Sequence, residues 1–254
     1  MLALLVLLQT DPAEAFFSRV KIADRPAFGP VQERIHKIIR DREHWISAYR
    51  AVEATLGPWP AETTVTATFD YRGDQLAKAR GPAKAGEVSF NIDRLEEMQI
   101  KLDELEKMRI ELEKQKKKVV YKVQPFRLDR LLHHELTHVW QDGRQAPDWF
   151  LEGMAQHVGK DDNLMAIFAR SGLDLPAIEG PYREKADVYV RGQLFWAWLD
   201  TKGAVKSTAR AFAVDGKAWK VAVEESLKLD WSFVVIAENA WSQAEIAKVR
   251  ERVK

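Results

Sequence analysis

Residues 132–143 read LHHELTHVWQDG and place His134 and His138 four positions apart, with Glu135 beside the first histidine. On an α-helix this spacing puts the two histidines on one face, about 6 Å apart along the axis, so that both imidazoles can point at one atom. A carboxylate at Glu135 can then reach a water molecule held at that point. The stretch predicts two metal ligands and a general base within one helical turn.

The helix that carries these residues is predicted to run from Leu128 to about Trp140 and to be largely buried. Apolar residues surround the polar ones at helical spacing, namely Leu128, Leu131, Leu132, Leu136 and Val139. Buried polar groups are costly without partners, and a metal ion satisfies both imidazoles at once. The alternative is a pair of exposed histidines on an amphipathic helix, because the motif also arises by chance.

A third ligand is predicted from a second helix, in APDWFLEGMAQHVG at residues 146–159. Pro147 and Asp148 form a good helix start. Glu152 lies in the first turns of this apolar helix, where a carboxylate is costly unless it is paired. Binding to the same metal would give the Glu152 carboxylate the partner that it needs. Gly153, the next residue, lets another backbone come close.

HHELTHVWQ followed by PDWFLEGMAQHVG resembles the gluzincin metallopeptidases. The resemblance is closest to the peptidase MA-like bacterial family, whose pattern is H-E-x-x-H and then W-x-x-E-G-x-A, and it extends over roughly residues 20–245. His157 departs from it, since a tyrosine is frequent at that position in the family, and so does the long charged helix predicted over residues 93–118. The metzincin pattern does not fit, because it needs a glycine at Gln141 and a histidine at Arg144.

The resemblance implies a zinc-dependent peptidase with an α+β, zincin-like fold. His134, His138 and Glu152 would bind Zn²⁺, and Glu135 would act as the general base and then as the acid. The substrate would be a peptide or a protein. Since no glycine-rich exopeptidase motif precedes the zinc helix, endopeptidase action is favoured.

An oxyanion formed during peptide hydrolysis needs a donor besides the metal. Tyr189 is the candidate, because its helix is expected to pass near the cleft; Tyr182 and Arg191 are the alternatives. Gln156 and Asp142 are placed to hold the outer nitrogens of the metal-bound histidines, although either residue also fits a solvent-facing role.

The composition narrows the functional classes. Lys plus Arg number 39 against 38 for Asp plus Glu, so the net charge predicts no binding to nucleic acid. The chain has no cysteine, which excludes disulfides, thiolate metal sites and cysteine catalysis. No stretch is long and apolar enough for a transmembrane span.

The N-terminus predicts export. An apolar run over residues 2–8 precedes Ala13-Glu14-Ala15, a small-x-small pattern that a signal peptidase could cut before Phe16. We therefore expect residues 1–15 to be a signal peptide and the protein to be periplasmic, secreted or membrane-associated. The alternative is an apolar segment packed on the body of a cytoplasmic protein.

The remaining patterns place the site in a two-part chain. A helix is predicted from Pro30 to Leu56, strands over residues 63–71 and 87–92, and a long amphipathic helical insertion over residues 93–118. Residues 87–92 fit either an edge strand that pairs with substrate or an interior strand. We therefore expect an N-terminal part with a small sheet, residues 16–127, and a mostly helical part, residues 128–254.

The insertion supports a second hypothesis. Its narrow apolar seam is typical of a helix that packs on a neighbour, so residues 93–118 could bind a protein partner. The chain would then be a non-catalytic zincin-like scaffold. Glu135 favours the enzyme, because a structural metal site needs no base beside its ligands.

Overall fold

The computed structural model describes residues 11–115, 127–160 and 163–253. The chain is a mixed α+β protein, with a four-stranded sheet in its N-terminal half and helices elsewhere in these ranges. The strands are β1 (Val20–Ile22), β2 (Val65–Thr68), β3 (Ala77–Arg80) and β4 (Gly86–Phe90). The helices are α1 (Pro12–Phe17), α2 (Pro30–Arg40), α3 (Arg42–Leu56), α4 (Ile92–Lys114), α5 (Leu128–Trp140), α6 (Asp148–Gly159), α7 (Asn163–Ser171), α8 (Lys185–Thr201), α9 (Val205–Ala209), α10 (Trp219–Leu227) and α11 (Trp231–Val253).

The sheet has the strand order β1-β2-β4-β3. The two predicted strands are confirmed as β2 and β4, which pair in parallel, while β3 pairs with β4 in the antiparallel direction. β4 is therefore an interior strand, and the edge-strand interpretation of residues 87–92 is wrong. The edge is β3, a four-residue strand whose sequence AKAR carries no alternating β-branched pattern to reveal it.

The predicted helix from Pro30 to Leu56 is wrong in one respect, because the chain forms two helices there. Asp41 lies between them in an extended conformation, and its side chain accepts a hydrogen bond from the backbone N–H of Glu43. That contact caps α3. An apolar period that continues across the break conceals it in the sequence.

The helix that carries His134 and His138 is confirmed as α5, from Leu128 to Trp140. It packs against α3 and α6, and it also contacts β3. One apolar cluster runs from Ala13 in α1 to Val234 in α11, so the N-terminal and C-terminal parts share a core. α5 lies within that core, which fixes the orientation of its side chains.

α6 and α8 cross at two glycines. A Cβ atom on Gly153 would lie 2.4 Å from the backbone of Gly192, and one on Gly192 would lie 2.1 Å from the carbonyl oxygen of Trp149. Real Cβ contacts are never that short, so the backbones approach closely because both residues lack side chains. The expectation for Gly153 is confirmed, and the crossing brings Tyr189 and Glu152 onto neighbouring helices.

The predicted amphipathic insertion is α4. Its first turns are anchored, since Ile92 and Leu95 are buried and Glu96 accepts a hydrogen bond of 2.6 Å from Gln32 of α2. Farther along, an ion pair of 2.7 Å joins Asp103 to Arg34 of α2. The last residues of the predicted helix, 116–118, lie outside the described residues.

The apolar run over residues 2–8 also lies outside the described residues, and export stays a prediction. Ala13-Glu14-Ala15 belongs to α1, where Ala13 and Phe16 are buried in the core. Phe16 stacks on Tyr49 with their ring centroids 4.8 Å apart. Among the described residues, no helix combines the length and apolar character needed to cross a membrane.

Candidate metal centre

His134, His138 and Glu152 lie together between α5 and α6. The Nε2 atoms of the two histidines are 3.2 Å apart. Glu152 Oε2 lies 3.3 Å from His134 Nε2 and 3.5 Å from His138 Nε2. The structure thus brings together the three residues that the sequence predicts as ligands.

The spacing and chemistry of these atoms fit a tetrahedral metal ion. Three ligands on zinc, at bonds of about 2.0–2.1 Å, are about 3.3–3.4 Å from one another. The three observed separations are close to this value. Glu152 Oε2 is buried without a hydrogen bond of normal geometry in the described part of the chain. Lone pairs that converge in this way can hold a metal cation.

The charges agree with that conclusion. Burial alone raises the pKa of Glu152, but the adjacent His134 and His138 outweigh burial and hold that pKa well below its usual range. Burial lowers the pKa of His138, yet the Glu152 carboxylate beside it raises the net value to about 9. Without a metal, the cluster therefore attracts a proton to the position where a cation would bind.

Gln141 selects the tautomer of His138. Its side-chain N–H donates to the carbonyl oxygen of Leu151 at 2.8 Å, which turns its own carbonyl oxygen toward His138 Nδ1 at 2.9 Å. His138 Nδ1 must then carry the proton and donate it to Gln141, leaving Nε2 with a free lone pair. A ligand histidine held in this way is oriented for metal binding. Sequence reasoning missed Gln141.

The two residues predicted for that outer role have other positions. Asp142 has left the helix with a φ of 54° and accepts the backbone N–H of Ala83 at 2.8 Å. Gln156 is buried and lines a separate cavity on the other side of α6. Gln141, three positions after His138, keeps a helical conformation and therefore stays on the same helix face, whereas Asp142 does not.

Glu135 is buried beside the three ligands. Its carboxylate accepts the backbone N–H of Ala79 in β3, and burial raises its pKa despite the nearby histidines. It lines the same cleft as His134, His138 and Glu152. A carboxylate held there, separate from the three ligands, can exchange a proton with a molecule bound at the metal.

Tyr189 lies near the site. Its hydroxyl accepts a hydrogen bond of 3.4 Å from the Gln75 side chain, at the start of β3. Burial raises its pKa, and the charges of Glu152 and Glu135 raise it further, so its hydroxyl stays protonated. Arg191 is instead fully buried and paired with Glu238 of α11, which excludes it as the oxyanion donor. The Tyr182 hydroxyl donates to the carbonyl oxygen of Ile178.

The site opens into a cleft of about 360 Å³, bordered by β3, α5, α6 and the loop at residues 143–146. The backbone N–H of Asn91 donates to the carbonyl oxygen of Leu76 at 2.8 Å, so the backbone N–H and C=O of Leu76 point toward β4. In an antiparallel pair, the backbone N–H and C=O groups of successive residues point alternately toward the partner strand and away from it. The backbone groups of Ala77 and the C=O of Ala79 therefore point away from β4 toward the cleft, where Ala77 is buried and Ala79 is half-buried.

Comparison of the chain with protein-family models, with curated proteins and with solved structures finds no match. The functional argument therefore depends on the residues of the site and their geometry.

Proposed function

We propose that this protein is a zinc-dependent endopeptidase of the gluzincin type, with a zincin-like fold. The observation that carries the proposal is the convergence of His134, His138 and Glu152 on one point, with a second carboxylate, Glu135, buried beside them and outside that group. A structural metal site has no use for that extra base. The resemblance to the peptidase MA-like family supports the same conclusion.

Two imidazole nitrogens and one carboxylate oxygen form the ligand set of a catalytic zinc site that keeps one position open. When bound there, zinc supplies Lewis-acid polarisation of a carbonyl and lowers the pKa of a water molecule. The chain contributes the rest. Gln141 holds His138 in the ligand tautomer, and α5 and α6 hold the three donors at fixed separations.

Glu135 moves the proton. Its carboxylate faces the cleft and takes a proton from the attacking water; it then delivers that proton to the amine that leaves. The raised pKa of Glu135 suits both steps, because a weakly acidic carboxyl accepts a proton more readily than an ordinary one. The N–H of Ala79 holds the carboxylate in place during the exchange.

The edge of β3 orients the substrate. An extended peptide can begin to pair with the C=O of Ala79, at the half-buried edge of β3, by adding a strand to the sheet. The Tyr189 hydroxyl lies at the Gln75 end of this strand and is our candidate for the donor to the oxyanion. Such contacts would hold a peptide bond of an extended segment over the proposed metal centre.

The decisive experiment compares zinc content and peptide cleavage in wild type, Glu135→Gln and Glu152→Ala. We expect about one zinc per chain in wild type and Glu135→Gln, and loss of zinc in Glu152→Ala. Internally quenched peptides with blocked ends should be cleaved by wild type alone, since removing a catalytic base costs about 10²–10⁴-fold in rate. Cleavage by Glu135→Gln at the wild-type rate would refute the mechanism.

One observation favours a second function, partner binding through α4. Beyond its contacts with α2, the helix exposes Ile100, Leu105, Met108 and Ile110. Solvated apolar residues on a helix are typical of an interaction surface. This role is compatible with an enzyme or with a non-catalytic scaffold.

The double variant Leu105→Glu/Met108→Glu tests the second function, because these exposed positions contribute little to stability. Affinity capture should lose a partner that wild type retains, while cleavage of a short peptide stays unchanged. A partner retained by the double variant would exclude this surface.

A further inference from the structure

Arg144 lines the cleft at the opposite end from Tyr189. The loop that carries it is tied to the sheet by the hydrogen bond of 2.8 Å from Ala83 N–H to Asp142. Ala83 follows β3 directly after Gly81 and Pro82, so Arg144 stands beside the Arg80–Gly81 end of the strand. Tyr189 is bonded to Gln75, at the other end. The cleft thus has a tyrosine end and an arginine end.

The guanidinium of Arg144 is held in position. Its Nε donates to the carbonyl oxygen of Ala213 at 3.3 Å. The guanidinium packs close to Gly216, where a Cβ atom would be 3.2 Å from Nη1, 3.3 Å from Nη2 and 3.5 Å from Cζ. Gly216 also has a φ of 73°, which favours glycine. The carbonyl oxygen of Ala213 and the missing side chain of Gly216 therefore both accommodate the Arg144 side chain.

The Arg144 guanidinium has no carboxylate partner in the described part of the chain. Within the described ranges, no carboxylate oxygen lies within 4.0 Å of the Arg144 guanidinium. Arg80, at the same end of the cleft, is already paired with Glu87 through two hydrogen bonds. Two of the cleft's carboxylates, Glu135 and Glu152, belong to the metal site, and the third, Asp148, is exposed to solvent.

From this geometry we infer that Arg144 is a specificity-determining residue of the cleft and binds a carboxylate of the substrate. The inference rests on the proposed peptidase function. A guanidinium presents a planar fork of N–H donors that matches a carboxylate. In a peptide the carboxylate belongs either to an Asp or Glu side chain or to the C-terminus, on the side of the bound segment that passes Arg80.

The test measures binding separately from turnover. The probes are fluorescein-labelled eight-residue peptides in which a single Glu, or its matched Gln, is moved through every position, each made with a free and an amidated C-terminus. Fluorescence anisotropy measures their affinity for zinc-loaded Glu135→Gln protein, which keeps the peptides intact. The same titrations are made with Glu135→Gln/Arg144→Gln and with Glu135→Gln/Arg210→Gln. The last is a matched control, since Arg210 carries equal charge nearby but does not line the cleft.

We expect one Glu position, or the free C-terminus, to bind roughly tenfold more tightly than its uncharged match, as one charge-assisted hydrogen-bonded contact provides. Arg144→Gln should remove that preference and leave affinity for the uncharged peptides unchanged, whereas Arg210→Gln should keep it. A preference for Glu at one position would identify an acidic side chain as the group that Arg144 binds. A preference for the free C-terminus would identify the terminal carboxylate. Equal binding of charged and uncharged peptides, or a preference that survives Arg144→Gln, would overturn the inference.

The two proposals fail in different ways. Charge-dependent binding through Arg144 without cleavage by wild type would retain the inference and remove the peptidase. Cleavage by wild type with no charge preference would retain the peptidase and remove the role of Arg144. For a cleaved peptide, kcat/KM should show the same preference as binding, through KM.

Discussion

At the scale of single residues, Gln141 links the metal ligands to the fold, because it contacts His138 on its own helix and the backbone of Leu151 on α6. Gln141→Ala should weaken zinc affinity by about 10- to 100-fold, the usual effect of losing a partner that orients a ligand histidine. Competition with a chromophoric chelator measures the change. Gln145→Ala, at an exposed loop position, is the control and should bind zinc as wild type does. Equal affinities for both variants would show that His138 needs no help from Gln141.

The Tyr189 hydroxyl is expected to act in the transition state. Tyr189→Phe removes it while keeping the ring, and we expect kcat to fall by about 10²-fold, the effect of removing one oxyanion donor. Zinc content and KM should stay near wild type, a pattern that a purely structural tyrosine would not give. Tyr182→Phe is the control, because that hydroxyl is bonded to Ile178. A Tyr189→Phe protein with wild-type kcat would leave the donor to another residue.

The residues were predictable to different degrees. The proposed ligands His134 and His138 and the proposed base Glu135 follow from residue types at helical spacing, and Glu152 follows from a carboxylate placed in a second apolar helix. Gln141 does not, because a glutamine three positions after a histidine is common. Arg191 was an alternative for the oxyanion donor, and that prediction is wrong. A charged residue on α8 fits a buried ion pair as well as a position in the cleft, so the sequence could not separate the two.

At the scale of elements, the crossing of α6 and α8 positions Glu152. Gly153→Ala would force a Cβ atom to within 2.4 Å of the Gly192 backbone. In an ordinary helix, glycine to alanine stabilises by about 1 kcal/mol. Here we expect a loss of about 3 kcal/mol in the free energy of unfolding from overpacking, measured by urea denaturation.

Gly159→Ala is the matched control for that variant. It lies on the same helix, and its added Cβ would meet its nearest atom, the carbonyl oxygen of Arg130, at 3.3 Å. We expect a stability change within about 1 kcal/mol of wild type. If Gly153→Ala proved as stable as Gly159→Ala, the close helix crossing would be wrong.

Elements differed in how well their pattern identified them. α5 and α6 have strong apolar periods and clear start signals, and the sequence predicts both. β1 has only three residues, too few for a period to show, and β3 reads AKAR, which contains no β-branched residue. β3 is an edge strand and borders the cleft because β4 and α5 hold it there, which no local pattern encodes.

For the whole molecule, zinc should stabilise the fold, since its ligands join α5 to α6. A ligand at 100 times its dissociation constant adds about 2.7 kcal/mol. For a chain of this size that corresponds to a rise of roughly 5–10 °C in Tm. Calorimetry with zinc and with a chelator should show this shift in wild type and Tyr189→Phe, and none in Glu152→Ala. An unchanged Tm in wild type would show that zinc does not bind the folded protein, and a shift retained by Glu152→Ala would place the metal elsewhere.

The sequence alone predicted the two helices of the site and the candidate residues on them, because helical spacing fixes which side chains of one helix share a face. Tertiary structure decided everything that depends on two distant segments meeting. Ala79 meets Glu135, Gln75 meets Tyr189, and Gly216 meets Arg144 across separations of 50 residues or more. These contacts follow from the packing of the shared core, where close fit between remote surfaces, rather than local periodicity, selects the partners.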